Sequence, residues 1–438
     1  MGGTFIRQSY FLFHFSRRLA ASEMGHDTGV QAHPRPPPFS TQTEIPHFPT
    51  PPVGDSPPKP SPPPLAGVLS GQPSRMAEAL MEEVVEEILL RLPPDDPASL
   101  LRAAVVCRQW CRVISAPGFR RRFAQRHRSP PMLGFLDWSE YEHGRTFSVA
   151  RFVPTPFRPR RTEHRDRRAV DARHGRVLLT DKDTPGQNTL EVWDPITDGL
   201  WQLPAVALPQ PINWNAAVVC AAHGACGHQD CRREPFLVVL LDSATANIRA
   251  RVFSSDSAVW SKPTYGPPSP EYGFAITPAA LAGNALYFVV DAGILEYNLA
   301  TQITTMIHVP PKTSYDAVVL TTTGDGQLGF ARVEDTKLCL WLVETHPEGG
   351  AVLSLVRSIE LETVLPVIVP LIHDCSLSFA HGDGVGVIYF GTSAAWFSID
   401  LKSNQVREQE RRDGQLSILI PYMSFYTPDL HRYGVVPV

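Results

Sequence analysis

A chain of 438 residues has room for a small module beside one large domain, or for two or three domains of medium size. Its formal net charge of −4 gives no global reason to expect nucleic acid or an anionic membrane as partner, and its seven scattered cysteines argue for reduced thiols rather than a disulfide framework. No apolar run reaches the roughly 18 residues that a spanning helix needs, so the expectation is a soluble chain of the nucleus and/or cytoplasm, without a bound cofactor.

Residues 1–22 carry Arg7, Arg17 and Arg18, no acid, and an aromatic cluster at Tyr10, Phe11, Phe13 and Phe15. Organelle-targeting segments share that charge bias, but they form amphipathic helices rich in small residues and serine, which this bulky stretch is not. From Pro34 to Pro64 nearly every second residue is proline, which forbids a packed core and favours an extended, solvated chain. Pro-x-x-Pro spacings such as Pro49 to Pro52 suit an aromatic groove, although a plain spacer accounts for them as well. Residues 1–75 are therefore expected to be a disordered, proline-rich leader.

Between Ala79 and Phe123 the apolar residues fall at helical spacing in three bursts. Met81, Val84, Val85, Ile88, Leu89 and Leu92 share one face of the first, opposite Glu82, Glu83, Glu86, Glu87 and Arg91, and Pro93-Pro94 ends it. Asp96-Pro97 opens a second helix whose inner face is expected to carry Leu100, Leu101, Ala104, Val105, Cys107, Trp110 and Ile114. A third, short helix starts near Pro117, with Phe119 and Phe123 one turn apart among Arg120, Arg121 and Arg122. So few helices bury too little apolar surface by themselves, and a partner is expected.

In order, Ile88-Leu89-Leu90-Arg91-Leu92-Pro93, Ser99-Leu100-Leu101-Arg102, Val106-Cys107-Arg108-Gln109-Trp110, Ile114-Ser115 and Pro117-Gly118-Phe119 follow the pattern of the F-box family, which residues 76–128 resemble. The family usually opens with Leu-Pro, whereas Leu80 is followed here by Met81. The resemblance implies docking on a Skp-family adaptor and, through it, on a cullin. Leu80, Val84, Ile88, Leu89, Leu92, Pro93, Leu100, Cys107 and Trp110 are the candidates for core or adaptor contact, two roles that sequence does not separate.

After the helices comes a basic interval, densest from Arg158 to Arg168. An import signal or nucleic-acid patch is one reading. Glu163, His164 and Asp166 interrupt the run and no aromatic residue interleaves, so a solvated loop between strands is preferred. From about Met132 the texture changes to short β-branched and aromatic runs punctuated by Gly, Pro, Asp and Asn, among them Val177–Leu179, Leu237–Leu241, Ala285–Val290, Lys337–Val343 and Val385–Phe390. Repetition narrows the choice of all-β fold. A strand followed by Asp194-Pro195-Ile196-Thr197, Asn298-Leu299-Ala300-Thr301 or Asp400-Leu401-Lys402-Ser403 recurs 104 and then 102 residues apart. That is about twice the roughly fifty-residue period of kelch-like blades, so one blade is expected between each pair, around Phe236–Trp260 with Asp242-Ser243-Ala244-Thr245 and around Ala317–Leu361.

Residues 129–438 are thus expected to form a β-propeller of about six blades, or seven if some are short, with Leu416–Ile420 completing a blade beside Met132–Leu136. In texture and turn register this part resembles the F-box-associated, kelch-like propeller of plant F-box proteins of the grass type. Tandem β-sandwiches are the alternative. The whole then reads as a multidomain chain: a small all-α module, an all-β propeller and the proline-rich leader.

Chemistry is sparse. Cys220, His223, Cys226, His228 and Cys231 offer zinc-type ligands within twelve residues, but no Cys-x2-Cys knuckle and no second distant pair, so a glycine-rich connection is preferred to a metal site. Neighbours on a strand point to opposite faces, so His373-Asp374-Cys375 reads as the start of a strand rather than a nucleophilic triad. Gly382-Asp383-Gly384-Val385-Gly386 reads as a hairpin, not a phosphate loop. Trp193, Trp260, Trp341 and Trp396 are expected to pack between blades, with Trp138, Tyr141 and Trp214 nearer the loops. With no catalytic residue to name, the resemblance implies a non-catalytic, target-recognition subunit of an SCF-type cullin-RING ubiquitin ligase, holding an unknown protein. The alternative is a scaffold or transcription-associated propeller without ubiquitin transfer.

Overall fold

A computed structural model describes residues 82–427, apart from connecting stretches of which the longest are 182–188, 223–230, 309–317, 366–375 and 411–417. The leader, Leu80, His223, Cys226, His228, His373, Asp374 and Cys375 lie outside the described residues.

Four helices come first: α1 (Glu82–Leu89), α2 (Pro97–Ala104), α3 (Arg108–Ser115) and α4 (Pro117–His127). The single second helix expected from Asp96 onward is two helices. α2 stops at Ala104, and Cys107 is fully extended with φ −159° and ψ 165° as the residue before α3. Two adjacent β-branched valines, poor helix formers, sit at the break. Leu101, expected inside, is exposed on α2 itself. The consequence of the break is a change of face: Val105 and Cys107, also expected inside, are exposed, while Cys111, Val113 and Ile114 are buried from α3. With Val85, Leu89, Leu90, Leu100, Ala103, Ala104, Phe119, Phe123 and Ala124 they make one helical core. Glu86 and Glu87 are not merely solvated, because Arg122 donates to Glu86 at 2.7 Å and Arg126 reaches Glu87 at 3.4 Å, tying α1 to α4.

Six antiparallel sheets follow. From the inside outward, the first blade is Ile418–Met423, Met132–Glu142, Arg145–Pro154 and Glu163–Arg165. The second is Arg167–Arg173, Arg176–Asp181, Leu190–Asp194 and Gly199–Gln202. The third is Trp214–Cys220, Phe236–Asp242, Asn247–Ser254 and Val259–Trp260, with Thr264–Pro268 also pairing to Asn247–Ser254. The fourth runs Ala280–Ala282, Ala285–Val290, Gly293–Asn298 and Thr304–His308, and the fifth Val318–Thr322, Leu328–Glu334, Lys337–Thr345 and Ala351–Glu360. Ser376–Gly382, Val385–Gly391, Ala395–Asp400 and Val406–Glu410 complete the sixth. Innermost strands abut those of the next blade, and the third and fourth blades share one core, which makes this a six-bladed propeller and sets the sandwich alternative aside.

Closure is as expected from sequence. The C-terminal strand Ile418–Met423 pairs with Met132–Glu142, with Met132 opposite Met423 and Leu136 opposite Ile420. Both expected intervening blades are present. Their turns differ from expectation in one respect. Asp242 ends the second strand of its blade, and the turn equivalent to Asp194, Asn298 and Asp400 begins at Ser254. All four close with the fifth residue's N–H donating to the first residue's carbonyl, at 2.8 to 2.9 Å, and with that fifth residue left-handed: Asp198, Ala258, Gln302 and Asn404 have φ between 55° and 58°.

The basic interval is not a loop throughout. Glu163–Arg165 and Arg167–Arg173 are strands, Arg168 is buried over the ring of Trp214, and Arg167 is paired to Glu191 at 2.8 Å. Alternation on a strand placed between blades turns half of a basic run inward, where each guanidinium needs an acid or an aromatic face.

Candidate functional site: the exposed face of the helical module

In α1, Val85 and Leu89 point into the core, and the next positions round, Val84 and Ile88, are left 44% and 45% exposed. Where α2 ends, Leu101, Val105 and Val106 are 36%, 71% and 63% exposed. Five large aliphatic side chains in water on so small a module are a binding signal, since isolated exposed apolar residues are ordinary but groups of them are not.

The candidates from sequence now divide. Leu89 and Leu100 are core, each 1% exposed, and Leu92 and Trp110 pack on that core while half-buried. Val84, Ile88, Pro93 and Cys107 are on the outside. Val105 and Val106 were missed as outward residues because periodicity carried one helix across the break. The signal that reveals them is the Val-Val pair itself.

The module does not hang from a free linker. Phe425, two residues past the closing strand, joins the helical core, its ring 6.2 Å from that of Phe123 and nearly perpendicular to it at 81°. The N–H of Ser424 donates to the carbonyl of Pro131 at 3.2 Å, just before the first blade. The His127 ring lies tilted at 58° against that of Phe123, 4.5 Å between centroids, and pairs with the carbonyl of Leu90 at 3.0 Å. The chain segment that closes the ring therefore also grips α4.

Cys220 and Cys231 are both buried, at the end of an inner strand and in the one-turn helix Cys231–Arg233. Against them, from the second blade, lies Arg176, whose Nη2 donates to the carbonyl of Cys231 at 2.9 Å. Burial lowers the Arg176 guanidinium below its usual range, with the two thiols and Asp194 pulling it back. A guanidinium is a poor neighbour for a bound cation, and among the described residues no group of His, Cys, Asp or Glu is placed to hold a metal. Trp214, expected nearer a loop, is instead 2% exposed in the core between the second and third blades. Trp193 is fully buried as expected, and Gly382 pairs with Val385 in a hairpin.

Residues 82–126 match the F-box-like family, and residues 168–430 match the family described as F-box protein AT5G49610-like, beta-propeller. No curated protein matches the chain. Among solved structures it is similar to a functionally unknown protein from Desulfotomaculum acetoxidans DSM 771, at 11% identity over 66% of this chain and 89% of that one, with a TM-score of 0.40. It is also similar to the periplasmic gluconolactonase PpgL of Pseudomonas aeruginosa (13% identity, 65% and 83% coverage, TM-score 0.38) and to TolB from Acinetobacter baumannii (11%, 70% and 72%, 0.35). Likenesses this distant say nothing about what the chain does. With the propeller family covering more than half of its length and the F-box-like helices preceding it, the chain belongs to the F-box protein AT5G49610-like β-propeller family.

Proposed function

We propose that this protein is the target-recognition subunit of an SCF-type cullin-RING ubiquitin ligase, working in the nucleus and/or cytoplasm. The helical module docks on a Skp-family adaptor, and the propeller holds the protein to be modified. The observation that carries this reading is the set of exposed aliphatic side chains Val84, Ile88, Leu101, Val105 and Val106 around a core that is already filled. Packing of such faces against a partner's helices supplies affinity through apolar burial. The chain performs no bond-making step. It raises the effective concentration of the target beside a ubiquitin-loaded enzyme. Membership of the grass-type, kelch-like branch belongs to the same reading and rests on the turn register at Asp194, Asn298 and Asp400.

Val84→Asp with Ile88→Asp tests it, because both residues are exposed and the core stays intact. In a pull-down with a Skp-family adaptor, the full-length chain should bind, and the double variant should lose at least about a hundredfold in affinity, as loss of two central anchors does. Failure of the unmodified chain to bind, or equal binding by the variant, would replace this reading with a scaffold that recruits partners without ubiquitin transfer.

A further inference from the structure

A cavity of about 470 Å³ opens between the fourth and fifth blades. Its rim is formed by Gly283 and Gly326, at the turns between first and second strands of those blades, and a Cβ built on either would meet nothing within 4 Å. Its floor includes Leu328 and Val343, each 5% exposed. The walls carry two carboxylates, Glu296 and Glu344, and among the described lining residues there is no Lys, Arg or His.

The polar groups are arranged to receive donors. Glu296 is held in place by the Tyr287 hydroxyl, which donates to Oε1 at 3.4 Å, and by the Thr305 hydroxyl, which donates to Oε2 at 3.0 Å. Burial, and then the Glu296 charge, pushes the Tyr287 hydroxyl up to about 12, so it stays a neutral phenol with its ring in the wall. Independently of the carboxylates, Asn284 Oδ1 is buried and has no hydrogen-bond partner. An acceptor left so is costly until a donor arrives. Two carboxylates, an aromatic ring and an apolar floor match one chemistry: a cationic side chain with several N–H donors and an aliphatic stem.

We propose that this cavity takes a lysine or arginine side chain from an extended segment of the target protein. The proposal rests on reading the propeller as the target-holding part. It also places the target on a particular side. The closing strand ends beside the start of Met132–Glu142, and Tyr422 on it donates to the carbonyl of Gly175, in the first-to-second-strand turn of the second blade, at 3.0 Å. The helical module therefore joins the propeller on the face where the cavity opens.

The test is selection of a random peptide library on the immobilised full-length chain, repeated on Glu296→Gln with Glu344→Gln and, separately, on Gln327→Lys, which sets a cation at the exposed mouth. The unmodified chain should enrich peptides sharing one basic position. A synthetic peptide of that sequence should bind either variant at least about tenfold more weakly, the loss expected when charged hydrogen-bond partners are removed. Unchanged melting temperatures would show that both variants fold. No enrichment, an enriched motif without a basic position, or equal binding by Gln327→Lys would overturn the assignment. Adaptor binding is read separately in the pull-down, so failure of the ligase reading leaves a distinct signature: loss of adaptor capture with the basic motif retained.

Discussion

At the scale of single residues, the chemistry of this protein lies in buried charges and rings between blades. His164 is an example. It is buried edge-on against Trp193 with ring centroids 4.3 Å apart, and desolvation, helped by the Arg161 charge, pulls it down to about 4. A histidine whose folded value is depressed below its unfolded value near 6.5 is neutral in the fold and takes up a proton more readily when unfolded. Stability from this group is present above pH 6.5 and is lost as pH falls towards 4, by on the order of 2–3 kcal/mol. In thermal melts between pH 7 and pH 4, His164→Phe should flatten that part of the profile, and an unchanged slope would show that other groups set it. The basic interval around His164 illustrates what local pattern reading lacks: charge density was legible, but burial of Arg168 over Trp214 depends on the neighbouring blade.

Among elements, the recurring turn is the unit that makes the blades readable. In it the Asp or Asn side chain accepts backbone N–H groups two and three residues on, as Asn298 Oδ1 does from Ala300 and Thr301 at 3.0 Å. The hydroxyl three residues on accepts from the strand that follows, as Thr301 Oγ1 does from Ile303 at 3.4 Å. These contacts lie within a few residues, so they leave a mark in sequence wherever they occur. The third blade uses Ser254 at the same place, which is why the Asp242 segment, though similar in composition, is not its turn. The Asp194 turn also serves a second purpose, since its carboxylate takes Arg232 at 2.6 Å in a buried pair between the second and third blades. Asn298→Ala should cost about 1 kcal/mol, the worth of exposed hydrogen bonds, whereas Asp194→Ala should cost about 3–5 kcal/mol, because it strands a buried guanidinium. Unfolding in urea measures both. Equal losses would mean that the ion pair adds nothing to the turn.

For the whole molecule, the decisive contact is Phe425 in the helical core. The last strand closes the ring, and the residues after it pack on α4, so the same segment closes the propeller and clamps the helical module. Phe425→Ala removes a ring from a mixed core, at a cost of up to about 3–5 kcal/mol locally. The expected result is faster amide hydrogen exchange in Phe119–Ala124 with the inner strands of the third to fifth blades unchanged. Unaltered exchange in α4 would show that the clamp carries no load. Such a clamp limits the range of orientations the propeller can sample relative to the helical module.

Sequence by itself determined the helical module, the all-β region after it and the recurring turn that favoured a propeller of about six blades closed by the C-terminal strand, with seven blades or tandem sandwiches left for the structure to set aside. Those features rest on helical spacing, alternation and short-range turn hydrogen bonds, all of which repeat within a few residues or at a fixed period. Tertiary structure alone decided which of the module's apolar residues are core and which are left exposed, because the break at Val105-Val106 turns the helix that follows. It also decided that Arg168 and Trp214 are interior, that Phe425 belongs to the helices, and that Glu296 and Glu344 from neighbouring blades line one cavity. Each of those depends on two segments far apart in the chain meeting in space, a relation that no local pattern records.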